Sequence, residues 1–404
     1  MPQPLSAATI SIVKATVPAL AAHGTEITAA MYSRLFEDAN IKALFNHSNQ
    51  GEGGGQVHAL AAAILGYAQN IDNLAALSPV VERIAAKHVG YDILPEHYPY
   101  VAKALLAAIK DVLGTAATNE VLTAWGEAYW FLADVLKARE SVLRSETIGS
   151  VGGWVGWRRF AVAEKTQESS VITSFVLRPE DGKPIIWHKP GQYLTFRLKL
   201  PSGPELRRNY SISCAPNGTF YRISVKREAT GNGGSIFLHD CINVGDVLET
   251  TPPAGDFFLP EDQQRPVILL SGGVGLTPMV SMVETIARDR RELETHFVHG
   301  TTSSETHAMD AHVRQLANSC PHLHIATFYS EPAIGDRLGQ THEAEGFISV
   351  NWLMRHTPLD RADIYLCGPK PFLRTFVSGL ALAGVPASRV HYEFFGPADA
   401  LITA

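Results

Sequence analysis

The segment Ser271-Gly-Gly-Val-Gly-Leu-Thr-Pro-Met279 joins an apolar, strand-like run at 266–271 to a helix-like run at 278–287. Glycines let the backbone approach a phosphate closely, and the N-terminus of the following helix favours its negative charge. The segment differs from the G-x-G-x-x-G fingerprint, and alone it could be only a tight strand-to-helix turn. It predicts an α/β domain whose pyrophosphate loop consists of Gly272, Gly273, Val274, Gly275, Leu276, Thr277 and Pro278.

The same alternation of strand-like and helix-like runs continues downstream, with strands expected at 295–299, 325–329 and 364–367. This alternation is typical of a parallel sheet, and we assign residues 263–404 to this domain. The tripeptide Cys367-Gly368-Pro369 ends the last of these strands, where open α/β sheets place ligand contacts. Alone, a Gly-Pro pair usually marks only a turn.

Upstream, between 158 and 259, short alternating runs are separated by Pro/Gly turns, which predicts a small antiparallel β-barrel spanning 148–262. The stretch Arg208-Asn-Tyr-Ser211 combines a cation for phosphate with an aromatic face and a hydroxyl for a flavin ring. The alternative is a surface arginine beside a core tyrosine. Gly233-Gly-Ser235 precedes a helix-like run and offers backbone amides to a second phosphate.

Residues 1–147 are rich in Ala and Leu, with apolar residues recurring at spacings of three and four, which predicts an all-helical domain. The glycine-rich stretch 148–157 interrupts this pattern. The histidines of this domain are His23, His47, His58, His88 and His97. His88 shares an apolar stripe with Ile84, and His58 shares one with Leu65, so spacing alone leaves two candidates for a core-facing ligand.

On the last predicted helix of this domain, Glu140 lies on the stripe that also carries Trp125, Tyr129 and Leu136. A carboxylate among core residues needs a partner, and a metal-bound histidine usually donates its other N–H to an acceptor. Glu140 could serve His88 in this way. The alternative is a glutamate at a helix end that turns into solvent.

Tyr32 and Gln56 also fall on apolar stripes, where both could donate hydrogen bonds to bound oxygen. Taken singly, Tyr32 is an ordinary core tyrosine, and Gln56 is an unremarkable polar residue beside a glycine cluster.

Composition excludes several classes of protein. The 404 residues carry a formal charge of -6, which offers no polycationic surface to nucleic acid. No apolar run is long enough to span a bilayer, and no signal-peptide pattern begins the chain, so we expect a cytoplasmic protein. The four cysteines are scattered, so an iron–sulfur cluster or zinc site is not expected.

Five motifs in order, Pro190-Gly-Gln-Tyr193, 208–211, 233–235, 272–278 and 367–369, resemble the ferredoxin–NADP reductase superfamily. The resemblance implies an FAD-binding barrel beside an NAD(P)-binding domain. The flavin contacts it implies are Tyr193, Arg208, Asn209, Tyr210, Ser211, Gly233, Gly234 and Ser235. The C-terminal stretch that would cover the flavin consists of Glu393, Phe394, Phe395, Gly396 and Pro397.

The phrases Tyr32-Ser-Arg-Leu-Phe36, Ile84-Ala-Ala-Lys-His88, Pro95-Glu-His-Tyr98 and His391-Tyr-Glu393 resemble those of the flavohaemoglobins, and the likeness covers nearly the whole chain. It implies that His88 is the proximal ligand of haem b, with Tyr98 and Glu140 as its partners. Tyr32, Gln56 and Leu60 would form the distal pocket, and Phe45 would pack on the haem. Lys87 and Glu393 would lie between haem and flavin.

The function implied by this resemblance is nitric oxide dioxygenase, in which electrons pass from NAD(P)H through FAD to haem, and nitric oxide and O2 become nitrate. Rival functions are a haem-based oxygen or redox sensor and a reductase acting on hydroperoxides, although a complete reductase argues against a pure sensor. Thr301-Thr-Ser-Ser304 contains no arginine to hold a ribose phosphate, which favours NADH over NADPH. We expect a monomer, and lipid occupancy of the distal pocket is left open.

Overall fold

The computed structural model describes residues 4–45, 55–201, 205–229 and 233–395. The described residues up to Ser150 are largely helical and form one compact unit together with residues 201 and 205–207, and the described residues of 151–200 and 208–395 form a second unit that holds nearly all of the strands. Side-chain oxygens of Ser6, Asp38 and Thr118 accept hydrogen bonds from first-turn amides and so begin three of the helices. The helices of this unit are α1 (Ala7–Ala15), α2 (Val17–Leu35), α3 (Ala39–Lys42), α4 (Gly55–Gln69), α5 (Ser78–Gly90), α6 (Tyr98–Leu113) and α7 (Asn119–Gly149).

The core of the helical unit forms where α2 packs against α4 and α6, and where α7 packs against α1 and α5. Ile27, Ile109 and Trp125 are almost completely buried there. Tyr129 and Leu132 of α7 pack against both apolar clusters of the unit, so this one helix joins the α2 side to the α5 side. Across the described residues, no helix combines the length and apolar character needed to cross a bilayer.

The barrel region is a six-stranded sheet in the order β4-β3-β6-β1-β2-β5, and its registered strand pairs are antiparallel. Phe160, Phe175, Phe196 and Tyr221 fill its interior with no measurable exposure. One helix, α8 (Gly234–Cys241), contacts β5. The strands are β1 (Arg158–Gln167), β2 (Ile172–Pro179), β3 (Tyr193–Lys199), β4 (Glu205–Ser211), β5 (Tyr221–Lys226) and β6 (Val247–Thr250).

The last region is a parallel sheet in the order β10-β9-β8-β7-β11-β12. Strand β7, in the middle of this sheet, is buried along its whole length, as expected for a parallel sheet covered on both faces. Successive strands run outward from β7 in one direction and then from β11 in the other, so the strand order reverses between β7 and β11. Open α/β sheets bind ligands outside the carboxyl ends of strands at such a reversal. The strands are β7 (Val267–Gly272), β8 (Thr295–Thr301), β9 (Leu323–Tyr329), β10 (Ala344–Glu345), β11 (Asp363–Cys367) and β12 (Val390–Glu393), and the helices are α9 (Leu276–Asp289), α10 (Asp310–Ser319), α11 (Val350–His356) and α12 (Lys370–Leu382).

The fold class expected from the sequence is confirmed: helices come first, then an antiparallel sheet, then a parallel one. One difference lies at the end of α7, which continues through Gly149, two residues into the glycine-rich stretch expected to interrupt it. A glycine in the last turn of a helix is tolerated because the helix interior, where its conformational cost is largest, has already ended.

Candidate functional site

His88, Tyr98 and Glu140 form one hydrogen-bonded cluster in the helical unit. Nδ1 of His88 lies 2.7 Å from Oε1 of Glu140 and 3.1 Å from the Tyr98 hydroxyl. That hydroxyl donates to the same glutamate oxygen at 2.5 Å. When the ring is neutral, Nδ1–H donates to the carboxylate and Nε2 carries the lone pair that a metal needs.

Three helices position this cluster. His88 lies in the last turn of α5, Tyr98 begins α6, and Glu140 lies on α7. The small residues Ala85 and Ala133 are buried in the same apolar cluster, where α5 packs against α7. Glu140 is only 2% exposed, so the alternative in which it turns into solvent is wrong.

The remaining histidines of the helical unit are placed differently. His58 is exposed, and His23 is exposed and pairs with Glu26 at 3.2 Å. His97 accepts a hydrogen bond from the Leu94 amide at 2.9 Å. His47 lies outside the described residues. Of the two candidates that spacing left open, the geometry favours His88.

Tyr32, expected on the distal side, forms an aromatic group with Phe36 and Phe45, whose ring centroids lie 5.4 and 5.8 Å from that of the tyrosine. Burial raises the pKa of Tyr32 to about 12, so its hydroxyl keeps the proton needed to donate a hydrogen bond. Leu60 is partly buried against the apolar core of the helical unit, as these three rings are. The side chain of Gln56, expected in the distal pocket, lies outside what the structure describes.

The residues present fit a haem. Within the described residues, Nε2 of His88 makes no hydrogen bond and His88 keeps 30% of its side chain exposed, so this nitrogen is available to a ligand. Phe45, Leu60, Ile64 and Ile84 are only partly buried, as apolar side chains that line a cleft are. An imidazole nitrogen among apolar side chains is the donor set that a haem iron requires.

Most residues expected at the flavin lie on β4 and at the start of α8, and Tyr193 begins β3. Arg208 passes so close to Gly234 that a Cβ there would stand 3.2 Å from the arginine Cγ. Gly233 has a φ of +88°, which L side chains rarely adopt, so a glycine is needed to begin this helix. Oδ1 of Asn209 is buried without a hydrogen-bond partner among the described residues, as expected for an atom that meets a ligand.

The other flavin candidates also make contacts within the protein. Ser235 accepts a hydrogen bond from the Glu228 amide at 3.0 Å. The Tyr193 ring packs on Gly255, where a Cβ would lie 2.9 Å from the ring. Tyr210 packs on Phe196 with 5.8 Å between ring centroids, and Ser211 is buried.

The glycines of the nucleotide loop and Cys367-Gly368 come together at the carboxyl ends of β7 and β11. A Cβ on Gly275 would stand 2.2 Å from the Cys367 carbonyl oxygen, and one on Gly368 would stand 3.2 Å from the Gly272 amide nitrogen. Gly273 adopts a φ of +53°. These close approaches bring backbone amides to the strand reversal, as a pyrophosphate needs there, with the Phe372 ring packed against Gly272 and Gly368. Thr277 and Pro278 are buried in the first turn of α9.

Glu393 lies on β12 directly opposite Cys367 of β11. Burial, and then the charge of Glu393, raise the pKa of the Cys367 thiol well above its usual range. Phe394 is half-buried and Phe395 is 50% exposed, while Gly396 and Pro397 lie outside the described residues. Lys87 is half-buried on α5, in the helical unit.

Sequence reasoning missed a buried pair behind the nucleotide loop. Oγ of Ser271, the residue before the glycines, lies 2.9 Å from Nδ1 of His299 at the end of β8. Both side chains are essentially unexposed, and burial lowers the pKa of His299 well below its usual value. The available signal was a polar residue at the end of each of two adjacent predicted strands.

Family comparisons match both parts of the chain. A globin model matches residues 18–136, and an oxidoreductase NAD-binding domain model matches residues 269–378. The fold and sites therefore define a two-part oxidoreductase, with a globin joined to a nicotinamide-dependent reductase.

The chain is 58% identical to the flavohemoprotein of Xylella fastidiosa (strain Temecula1 / ATCC 700964) over 97% of both proteins, and 45% identical to that of Halalkalibacterium halodurans over 99% of both. It belongs to the flavohemoprotein family. Among solved structures, the flavohemoglobin from Malassezia yamatoensis with bound FAD and heme matches 98% of this chain and 100% of its own, with 27% identity and a TM-score of 0.86. The FAD/NAD-binding domain of the Vibrio cholerae O1 biovar El Tor nitric oxide dioxygenase is 36% identical over 59% of this chain and 99% of its own, with a TM-score of 0.54.

Proposed function

We propose that this protein is a nitric oxide dioxygenase, which uses O2 and electrons from NADH to convert nitric oxide to nitrate. Haem b would bind through His88, and FAD through Arg208 to Ser211 and Gly233 to Ser235. The observation that carries the proposal is the buried Glu140 on Nδ1 of His88. A carboxylate in that position makes the imidazole more electron-donating, which suits reaction of oxygen better than its reversible storage. The domain similar to that of a nitric oxide dioxygenase adds support.

When bound, the flavin converts a two-electron hydride into single electrons for the haem, where O2 and nitric oxide react. The glycines of 272–275 and Gly368 bind the nucleotide through their backbone. Glu140 and Tyr98 hold the Nδ1 proton of His88 in place. The protonated Tyr32 hydroxyl donates a hydrogen bond toward the oxygen substrate, and Phe45 and Leu60 exclude water from it.

Reduction of hydroperoxides is the second candidate, because the same pairing of Glu140 with His88 favours cleavage of an oxygen–oxygen bond. A sensor would need no turnover and therefore no nucleotide loop. The paired glycine segments at β7 and β11 therefore support a catalytic reductase. The absence of arginine in Thr301–Ser304 favours NADH over NADPH as its electron donor.

The deciding experiment supplies the holoenzyme with NADH, nitric oxide and ¹⁸O2, follows nitric oxide with an electrode and analyses the nitrate. A dioxygenase places both atoms of one O2 in each nitrate, and one NADH serves two nitric oxide molecules because each needs a single electron. Haem reduction without nitric oxide loss would reject the proposal. Rapid NADH oxidation with hydroperoxide but not with nitric oxide would favour the second candidate.

A further inference from the structure

One face of α9 holds three successive residues of the barrel region. Ser281 Oγ donates to the Cys214 carbonyl at 2.7 Å, and Arg288 Nη1 donates to the Pro216 carbonyl at 2.5 Å. Between them, Oε2 of Glu284 accepts the Ala215 amide at 2.7 Å. Spacings of three and four place these α9 side chains on the same side of the helix. Residues 214–216 are therefore fixed by a helix of the parallel-sheet region.

Glu284 is the centre of this contact. Its second oxygen, Oε1, accepts hydrogen bonds from Arg222 Nη2 on β5 at 2.6 Å and from His312 Nε2 on α10 at 2.7 Å. Although burial alone would raise the pKa of Glu284, the hydrogen bond from His312 and the charge of Arg222 lower it, so the group is a carboxylate. A carboxylate that is 14% exposed and has three donors is held in direction as well as in place.

A second loop of the barrel region rests on the same helix. Gly191 has a φ of +110°, and a Cβ there would stand 2.6 Å from the Met282 Cε atom. Nε2 of the buried His188 lies 2.9 Å from the Cys214 carbonyl and 3.3 Å from Ser281 Oγ. The barrel region therefore meets α9 through two segments whose contacts leave little space for sliding.

These contacts connect the expected flavin stretch to the expected nucleotide loop. Cys214 follows the flavin stretch 208–211 after two intervening residues, and α9 begins at Leu276, immediately after the nucleotide glycines. A displacement of α9 against 214–216 would therefore move the nucleotide loop relative to the flavin stretch. Reactions between two bound partners lose rate steeply when the reacting atoms are misplaced by about 1 Å.

We propose that Glu284 is a positioning residue for hydride transfer, which holds the flavin stretch and the nucleotide loop in the arrangement that the reaction needs. This inference rests on the proposed use of NADH and FAD. Glu284 does not touch the reacting atoms, so its effect is on orientation. The affinity for NADH is set at the strand ends of β7 and β11 and should change little.

The test compares Glu284→Ala with Glu249→Ala in the FAD- and haem-loaded enzyme. Glu249 pairs with Arg197 at 2.9 Å inside the barrel region and provides a matched loss of a partly buried ion pair. Anaerobic stopped-flow mixing with NADH measures the limiting rate of flavin reduction, the dissociation constant for NADH and the long-wavelength charge-transfer absorbance of nicotinamide stacked on flavin. Amide hydrogen exchange at Ala215, measured in the absence of NADH, reports the contact itself.

For Glu284→Ala we expect flavin reduction about tenfold slower or more, weaker charge-transfer absorbance, an NADH dissociation constant within about twofold of wild type, and faster exchange at Ala215. Glu249→Ala should match wild type in all four measured quantities. Glu284→Gln, which keeps an acceptor but no charge, should be intermediate.

Wild-type reduction rate and charge-transfer absorbance in Glu284→Ala would overturn the inference and leave the proposed function intact. If Glu284→Ala does not fold, His312→Ala tests the inference instead. His312 is half-exposed, and its replacement removes only one of the three hydrogen-bond donors to Glu284. A smaller loss of rate at unchanged NADH affinity would support the inference, and no change would overturn it. A wild-type flavin that NADH does not reduce would reject both the inference and the proposed function.

Discussion

At the scale of single residues, the hydrogen-bonded cluster of the helical unit is built around one carboxylate oxygen. Oε1 of Glu140 accepts hydrogen bonds from both His88 and Tyr98. Burial, together with the hydrogen bond to Glu140, raises the pKa of Tyr98 far above its usual value, so this hydroxyl stays a donor. The carboxylate therefore has two fixed donors, and its charge is directed at the histidine ring.

Replacement of Glu140 by glutamine tests this arrangement. In Glu140→Gln, the amide oxygen can still accept from Nδ1 but brings no negative charge, so the imidazole should donate less electron density. We expect nitric oxide consumption to fall about 10–100-fold, the range seen when partners of metal-bound histidines are changed. Resonance Raman spectra should show a lower iron–histidine stretching frequency. The control is Glu146→Gln on the same helix, whose side chain is 65% exposed. An unchanged frequency and turnover would contradict the assignment.

A separate prediction concerns Tyr32, the tyrosine expected in the distal pocket. Tyr32→Phe keeps the aromatic contacts with Phe36 and Phe45 but removes the hydroxyl. Loss of one hydrogen bond of about 1–2 kcal/mol should make O2 dissociate about tenfold faster. Flash photolysis or stopped-flow displacement by carbon monoxide measures this rate. Tyr100→Phe, an exposed tyrosine of α6, should leave it unchanged. Equal O2 dissociation rates in wild type, Tyr32→Phe and Tyr100→Phe would show that Tyr32 does not donate a hydrogen bond to bound O2.

At the scale of elements, the nucleotide loop depends on how closely the ends of β7 and β11 approach each other. Ser271 and Cys367 are paired in register, so the residues that follow them diverge from adjacent strands. Gly275 comes so close to the Cys367 carbonyl that no side-chain atom fits between them. A methyl group added at Gly275 would therefore displace both the glycine loop and the end of β11.

Gly275→Ala tests this packing. The new Cβ would lie 2.2 Å from the Cys367 oxygen, so the loop and β11 must separate. We expect NADH affinity, measured by titration of the oxidised enzyme, to fall at least about tenfold, and stability to fall by about 1–3 kcal/mol. Dithionite should still reduce the haem normally. Gly335→Ala is the matched control, because nothing lies within 4 Å of its Cβ position. Normal NADH affinity in Gly275→Ala would show that the loop does not need this approach.

At the scale of the whole molecule, the second unit contains histidines that are buried in neutral form. Burial lowers the pKa of His188 and of His307 to about 4 each. The ring of His299 lies 4.9 Å from that of His307, and burial, followed by the proximity of His307, lowers the pKa of His299 well below its usual value. These histidines tie folding of this unit to pH.

The sign of this dependence follows from the direction of the shifts. Histidine titrates near pH 6.5 in an unfolded chain, so the unfolded state takes up protons first and stability falls as pH drops from about 6.5 to about 4. Near pH 5, His188 and His307 should each cost about 2 kcal/mol. Denaturant unfolding of the second unit, followed across this range, measures the loss. His322→Gln, at a half-exposed position, should not alter the curve. A flat profile from about pH 7 to 5 would show that these histidines are protonated in the fold.

Much of the architecture was predictable because it depends on local patterns. Helical spacing before residue 148, short alternating runs after 158 and the strand–helix alternation after 266 are each sufficient to set a class of structure. The strand expected at 364–367 lies at Asp363–Cys367, since a buried parallel strand needs a continuous apolar run.

The sites were predictable only in part. The sequence by itself determined the order of the three regions, the glycine loop and the resemblance that pointed to His88, because these depend on residue type and spacing. Spacing alone could not choose between His88 and His58, since both lie on apolar stripes. The sequence suggested Glu140 as a partner for His88, but only the tertiary structure gives their contact between α7 and α5, pairs Ser271 with His299 and brings Arg222 and His312 to Glu284. Each of these contacts joins different elements, and their geometry depends on how those elements pack, which no local pattern encodes.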